Sequence, residues 1–184
     1  MQAITIDPNF YSSAPDGRDR LDKEMKTYEL LDRLSIPYLR LDHGVTATVE
    51  SCLEVERMFG IDICKNLFLC NPQKNNFYLL MMPGRKKLKT SDLSKQLNTS
   101  RLSFAAEAYM EEFLDLTPGS VTVLGLMNDK EHKVQLLVDR ELLTQEYIGC
   151  HPCINTSSLK IKLSDLLDKF LPSVDHLPIY VELT

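Results

Sequence analysis

The sequence lacks several features that would place a protein in a class at once. None of its apolar runs approaches the roughly 20 residues that a bilayer-spanning helix needs. Residues 1–19 have neither the basic nor the apolar region of a secretory signal, so we expect a cytoplasmic protein that does not enter a membrane. Glycine-rich loops of the kind that bind ATP or NAD are also absent, and such cofactors therefore have no support.

Basic residues are outnumbered, with 21 lysines and arginines against 26 acidic residues and a formal net charge of −5. Non-specific binding to DNA by the whole surface is therefore not expected. The balance reverses between Arg85 and Arg101, where Asp92 is the single acidic residue. The basic residues of this stretch are Arg85, Lys86, Lys87, Lys89, Lys95 and Arg101. The pattern fits either a solvated helix face or a small contact for RNA phosphates.

The length and an apolar content of 43% predict one globular domain, which we place at 20–184 after a loose leader at 1–19. "ICKNLFLC" and "NNFYLLMM" are apolar runs joined by the turn-forming "NPQK", and they predict a β-hairpin. "VTVLGLMND" and "KVQLLVD" predict a second strand pair. Segments whose apolar residues have helical spacing alternate with such strand-like runs along the chain. The sequence thus predicts a single α/β domain with a mixed sheet.

The motif "CHPC" places Cys150 and Cys153 at the spacing of a redox dithiol or of half a zinc site. A redox dithiol would begin a helix, but the strand-like "INTSSLKIK" follows. Cys64 and Cys70 would lie about 20 Å apart on one strand, so they could not both bind one ion. Cys150 and His151 would point apart, which disfavours a nucleophile–base pair. We therefore expect no metal and no cofactor.

Several segments, read together, resemble the free-standing prolyl-tRNA editing proteins of the YbaK/ProX superfamily. They are "HGVTATVES", "ICKNLFL", "LKTSDLSKQLNTSRLSFAAEAYMEEFLDLTPGSVTVLGLMND", "VQLLVDREL" and "GCHPCINTSSLKI". The similarity runs from about residue 23 to residue 172. The resemblance implies a mostly antiparallel, barrel-like sheet surrounded by helices. It also implies an aminoacyl-tRNA deacylase that removes alanine from the 3′ end of mischarged proline tRNA.

The resemblance further implies the residues that carry this reaction. Lys65 would contact the terminal nucleotide and its phosphate, while the Gly119–Ser120 loop would offer backbone N–H groups to the ester carbonyl. His151 would line the aminoacyl pocket, and the 2′-hydroxyl of the substrate would assist the attacking water. Further substrate-binding residues would be Thr46, Asn66, Pro152 and Asn155. The tRNA phosphates would meet Lys86, Lys87, Lys89 and Arg101.

One departure from the pattern concerns the amino acid that is removed. Many relatives have proline where this chain has Val123 in "GSVTVLG". A small apolar pocket separates substrates by only about 1–3 kcal/mol per methylene, so serine and cysteine remain open as alternatives to alanine. A catalytically weak tRNA-binding or regulatory module of the same fold is the alternative function. The oligomeric state stays open, with a monomer as the simplest case.

Overall fold

The computed structural model describes residues 5–45 and 49–183, and they form helices packed around two sheets. The α-helices are α1 (Asp22–Arg33), α2 (Val49–Phe59), α3 (Thr90–Gln96), α4 (Glu107–Leu114), α5 (Leu163–Asp165) and α6 (Leu171–Ser173). The strands are β1 (Tyr38–Asp42), β2 (Cys64–Cys70), β3 (Phe77–Pro83), β4 (Ser103–Phe104), β5 (Val134–Asp139), β6 (Tyr147–Cys150), β7 (Ser157–Lys162) and β8 (Ile179–Val181). Two 3₁₀ helices cover Val123–Asn128 and Arg140–Thr144, and a π-helical turn, Leu166–Phe170, joins α5 to α6.

The strands form a three-stranded sheet in the order β1-β7-β6 and a five-stranded sheet in the order β4-β2-β3-β5-β8. Four of the strand pairs are antiparallel, whereas β3–β5 and β5–β8 are parallel. A parallel bridge between Ile63 and Gly149 links the sheets. This arrangement confirms the α/β domain with a mixed, mostly antiparallel sheet. Within the described residues the sheets do not close into a barrel.

The predicted hairpin is β2–β3, and it explains how the sheet separates two environments. Asn71 Oδ1 accepts hydrogen bonds from the backbone N–H groups of Asn75 and Asn76, which closes the turn. Side chains alternate along β2 because successive residues of a strand point to opposite faces. One face, with Phe68, belongs to the main core, and the other face, with Leu69, packs in a second cluster with α3.

The second predicted strand pair is wrong, because "VTVLGLMND" is not a strand. Residues Val123–Asn128 form a 3₁₀ helix, and Thr122 Oγ1 caps it by accepting from Leu124 N–H. Close packing explains the compact helix: a Cβ on Gly125 would lie 2.6 Å from Leu116 Cδ1. The other half of the predicted pair is β5, and it runs parallel to β3.

The described part of the predicted leader lies along β1. Tyr11 exchanges backbone hydrogen bonds with Arg40, and Asp7 N–H donates to Asp42 O. The edge of the three-stranded sheet is therefore covered at β1. Among the helices described, none has the length and apolar character of a bilayer-spanning segment.

Candidate functional site

A cavity of about 480 Å³ lies where the start of α1, the end of β1 and the loop after β6 meet. Two other cavities, of about 540 and 500 Å³, have a similar size, so size alone does not identify a site. The first cavity is distinguished because it includes Asn155 and Thr117, which flank the predicted glycine loop. Its lining residues are Asp19, Arg20, Leu21, Lys23, Glu24, Asp42, His43, Thr117, Cys153, Ile154, Asn155 and Thr156.

The glycine loop forms a tight turn beside Asn155. Ser120 N–H donates to Thr117 O over 3.0 Å, and Ser120 Oγ donates to the same carbonyl oxygen over 2.9 Å. Gly119 has φ +87°, and a Cβ at this position would lie 3.2 Å from Asn155 Nδ2. A positive φ at the third residue of a Pro-Gly turn is the signature of a type II turn. The turn brings Gly119 against Asn155, and it engages the N–H of Ser120 internally.

His151 lies directly after β6 and is half-buried. Its Nδ1 lies 2.9 Å from Ser157 O. Since a carbonyl oxygen only accepts, Nδ1 carries the proton and Nε2 keeps its lone pair. Burial lowers the pKa of His151, and the neighbouring His43 lowers it further. A neutral His151 can therefore accept a hydrogen bond at Nε2.

His43 is a second histidine at the same place, with its ring centroid 6.2 Å from that of His151. Its Nδ1 contacts Gly44 O at 2.7 Å, and its Nε2 contacts Ser158 Oγ at 2.9 Å. Burial also lowers the pKa of His43. The ring is held from both sides, so it forms a rigid wall of the cavity.

His151 belongs to a hydrogen-bonded network that we call the polar wall, together with Arg20, Arg40, Asp42 and Ser157. Ser157 Oγ donates to Asp42 Oδ1 over 2.5 Å, and Arg20 donates to Asp42 Oδ2 over 2.6 Å. Arg40 pairs with the same carboxylate oxygen. Burial acts to raise the pKa of Asp42, but the hydrogen bond from Ser157 and the two arginines outweigh it and lower that pKa. Asp42 thus fixes Ser157, whose carbonyl in turn orients His151.

Lys65 and Asn66 are neighbours on β2 but face opposite sides of the sheet. Asn66 Nδ2 lies 3.7 Å from Cys64 Sγ, and Cys64 Sγ lies 3.3 Å from Gly149 O of β6. Asn66 Oδ1 is buried and finds no hydrogen-bond partner in the described part of the chain. Lys65 is exposed and donates to Lys86 O over 2.9 Å. The structure therefore brings Asn66, and not the Lys65 ammonium group, towards the strand that leads to His151.

The cysteines of "CHPC" are free and buried, as are Cys64 and Cys70. Burial raises the pKa of Cys64 to about 11 and that of Cys153 to about 12. Such thiols stay protonated near neutral pH, which disfavours a thiolate nucleophile or a redox role. Pro152, which precedes Cys153 in the sequence, is also buried. Among residues 5–45 and 49–183, no cluster of three or more His, Cys, Asp or Glu side chains could hold a metal ion.

The predicted tRNA-contacting residues fall into two groups. Lys86 is largely buried, and its Nζ lies 2.8 Å from both Asp139 Oδ2 and Glu141 Oε2. Lys87, Lys89 and Arg101 are exposed. In the described chain no carboxylate pairs with these three. We therefore expect Lys86 to stabilise the fold, and the exposed three remain candidates for phosphate contact.

Sequence reasoning assigned no role to Asp42, Ser157 or His43, although all three shape the site. The only signal for His43 was its place in the resembling segment "HGVTATVES". The hydrogen-bond network joins residues 115 positions apart in the chain, and no local pattern reveals such a pairing. Thr46, which was predicted to bind substrate, lies outside the described residues.

The profile of the aminoacyl-tRNA editing domain matches residues 43–169, most of the chain. The chain therefore belongs to this family, whose members hydrolyse the ester between an amino acid and its tRNA. The family and the deacylase class predicted from the sequence are confirmed.

Particular relatives agree with this family. Prolyl-tRNA editing protein ProX of Acetoanaerobium sticklandii is 28% identical over 147 residues, covering 79% of this chain and 89% of its own. Prolyl-tRNA synthetase associated domain-containing protein 1 of Danio rerio is 34% identical over 162 residues, covering 86% and 85%. A solved structure of a proposed trans-editing enzyme for prolyl tRNA synthetase superposes with a TM-score of 0.66 at 12% identity, over 90% of this chain and all of the other. That last similarity supports the fold alone.

Proposed function

We propose that the protein edits mischarged proline tRNA in trans and that alanine is the amino acid it removes. Water attacks the carbonyl carbon of the ester, and the bond from that carbon to the ribose oxygen breaks. Free alanine and the 3′ hydroxyl of the tRNA are the products. The relatives whose names refer to prolyl-tRNA support the choice of tRNA.

The observation that carries the proposal is the approach of Gly119 to Asn155 at the edge of the cavity. An aminoacyl ester is already activated, so its hydrolysis needs a placed water and donors for the developing oxyanion more than a strong nucleophile. The N–H of Ser120 is engaged in the turn, and the candidate donors are the N–H groups of Gly119 and Val121. No acceptor for either group occurs in residues 5–45 and 49–183.

The proposal assigns roles to the remaining predicted residues. His151 offers the Nε2 lone pair as an acceptor for the substrate, and Asn155 forms the wall beside the glycine turn. Asn66 carries a buried side-chain oxygen without a hydrogen-bond partner among the described residues, and we assign it a hydrogen bond from the substrate. Lys65, which is exposed near the start of β2, makes a point-charge contact to a phosphate of the incoming 3′ end.

A deacylation panel tests the proposal with alanine, serine and cysteine on proline tRNA. We expect the fastest hydrolysis with alanine. Gly119→Ala should lower the rate constant about 100-fold or more, because a Cβ there displaces Asn155 and distorts the donors.

Gly60→Ala is the matched control. Gly60 also has a positive φ, +63°, but a Cβ there would meet no atom within 4 Å. Both variants carry the same kind of backbone strain, and only Gly119→Ala should lose activity. Equal losses would show that strain alone is responsible. If the wild-type protein hydrolyses none of the three esters, the non-catalytic binding module is correct instead.

A further inference from the structure

One large aromatic side chain lies exposed at an edge of the five-stranded sheet. Phe104 belongs to the short strand β4 and is 65% exposed. Phe10 and Tyr180, also exposed, reach only 39% and 37%. Single exposed apolar residues are common on protein surfaces, so exposure alone indicates nothing. The surroundings of Phe104 decide whether it has a partner.

Phe104 lies on the same face of the sheet as Lys65. It pairs with Leu69 in the antiparallel β2–β4 ladder, and residues directly opposite in such a ladder share a face. Alternation along β2 places Leu67 and Lys65 on this face as well, where Leu69 is buried in the cluster with α3 whereas Lys65 is exposed. Four residues of extended chain separate Leu69 from Lys65, so Phe104 and Lys65 lie about 13 Å apart along the edge.

The surface charge is positive on one side of Phe104 and negative on the other. Lys65 donates to a neutral carbonyl oxygen, and no carboxylate in the part of the chain that the structure describes pairs with it. Arg101 is exposed three residues before Phe104. In the other direction α4 begins, with exposed carboxylates at Glu107, Glu111 and Glu112. A bound polyanion is therefore drawn from Phe104 towards Lys65 and repelled from α4.

We infer that Phe104 is a stacking platform for an unpaired base of RNA whose phosphates contact Lys65 and Arg101. An aromatic face beside uncompensated cations is the combination that binds single-stranded nucleic acid, because each base offers a π-face and each phosphate a charge. A duplex hides the faces of its bases within the stack. The inference rests on the proposed function, because the ester to be hydrolysed lies at the unpaired 3′ end of a tRNA.

Two RNA hairpins test the platform: one carries unpaired 3′ nucleotides, and the other has the same stem with a blunt end. Phe104→Leu keeps an apolar side chain but removes the π-face. We expect its dissociation constant for the overhanging hairpin to rise about tenfold, with little change for the blunt hairpin. Phe104→Tyr should restore overhang binding to within about twofold of wild type, because tyrosine stacks equally well.

Salt dependence separates stacking from charge. Lys65→Ala should reduce the slope of log affinity against log salt by about one, whereas Phe104→Leu should leave the slope unchanged because it removes no charge. Tyr180→Leu, at the opposite edge of the same sheet, is the matched control and should change neither hairpin's affinity. A thermal melt of each variant checks that folding is intact.

Two outcomes overturn the inference. An equal loss for both hairpins would mean that Phe104 does not recognise an unpaired base. No loss for either would mean that the exposed ring is free or contacts a protein. The deacylation panel is independent of these results: absent hydrolysis with an overhang-specific loss would reject the proposed function and keep the platform. Hydrolysis of the alanyl ester, with overhang binding unchanged in Phe104→Leu, would support the proposed function and reject the platform.

Discussion

The polar wall and the exposed lysines and arginine near β2 use the same kinds of charged residue in opposite ways. In the polar wall, Arg20 and Arg40 share the carboxylate of Asp42. At the exposed surface near β2, which we call the basic edge, Lys65, Lys87, Lys89 and Arg101 are exposed, and no described carboxylate pairs with them. Internal pairing holds a site in one geometry, whereas unpaired charge is left for a ligand. Substitutions in the polar wall should therefore affect stability, and those at the basic edge should affect binding.

The largest effect is expected from Asp42→Asn in the polar wall. The substitution removes the charge that compensates Arg40, which is only 4% exposed, and weakens the hold on Ser157. Removing one partner of a buried ion pair costs about 3–5 kcal/mol, and we expect a loss of this order in the free energy of unfolding. Urea denaturation measures it. The rate constant for deacylation should also fall, since Ser157 orients His151.

Asp16→Asn provides the comparison for this change. Asp16 also pairs with an arginine, Arg18, but the side chains are 62% and 87% exposed. An exposed pair contributes about 0–1 kcal/mol, so this variant should stay close to wild type. If Asp42→Asn costs no more than Asp16→Asn, the polar wall does not hold the site.

A smaller effect distinguishes Lys86 from its neighbours. Lys86→Ala leaves the carboxylate of Asp139, which is 2% exposed, without its ammonium partner. Breaking a buried ion pair costs about 3–5 kcal/mol, and we expect a loss near the lower end because Asp139 keeps the hydrogen bond from Glu141 N–H. The double substitution Lys87→Ala with Lys89→Ala should change stability by less than about 0.5 kcal/mol. It should instead lower the salt slope of tRNA binding by about two.

The sequence alone did not separate these lysines, since all three were predicted to contact phosphate. Measuring both quantities on both variants decides between the two views. A loss of tRNA affinity in Lys86→Ala without any loss of stability would show that Lys86 contacts tRNA, as the residues of the basic edge are expected to do. A stability loss in the double variant would show that Lys87 and Lys89 stabilise the folded protein.

The contrast also shows what could be predicted from the sequence. The β2–β3 hairpin was predictable because its alternation and its turn are local patterns. The 3₁₀ helix at Val123–Asn128 was not, since its shape depends on Gly125 packing against Leu116. The pairing of Lys86 joins residues 53 positions apart, and the hydrogen bond from Ser157 to Asp42 joins residues 115 apart. Local patterns indicate elements and residue types, but partners distant in sequence decide which charges are compensated.

The smallest effect is expected from Val123→Pro, which tests whether the segment that follows the glycine turn is already ordered. Val123 is the first residue of the 3₁₀ helix, a position that suits proline because its N–H needs no helical partner. Thr122 before it has φ −149° and ψ 148°, the extended conformation that a following proline requires. We expect a gain of about 0.4–1 kcal/mol in the free energy of unfolding, measured in urea, from the reduced entropy of the unfolded chain. The ratio of alanine to serine hydrolysis should stay unchanged, because Val123 is fully buried and absent from the cavity lining. A changed ratio would show that this buried position shapes the aminoacyl pocket, and that the wall of the cavity is less fixed than its hydrogen bonds indicate.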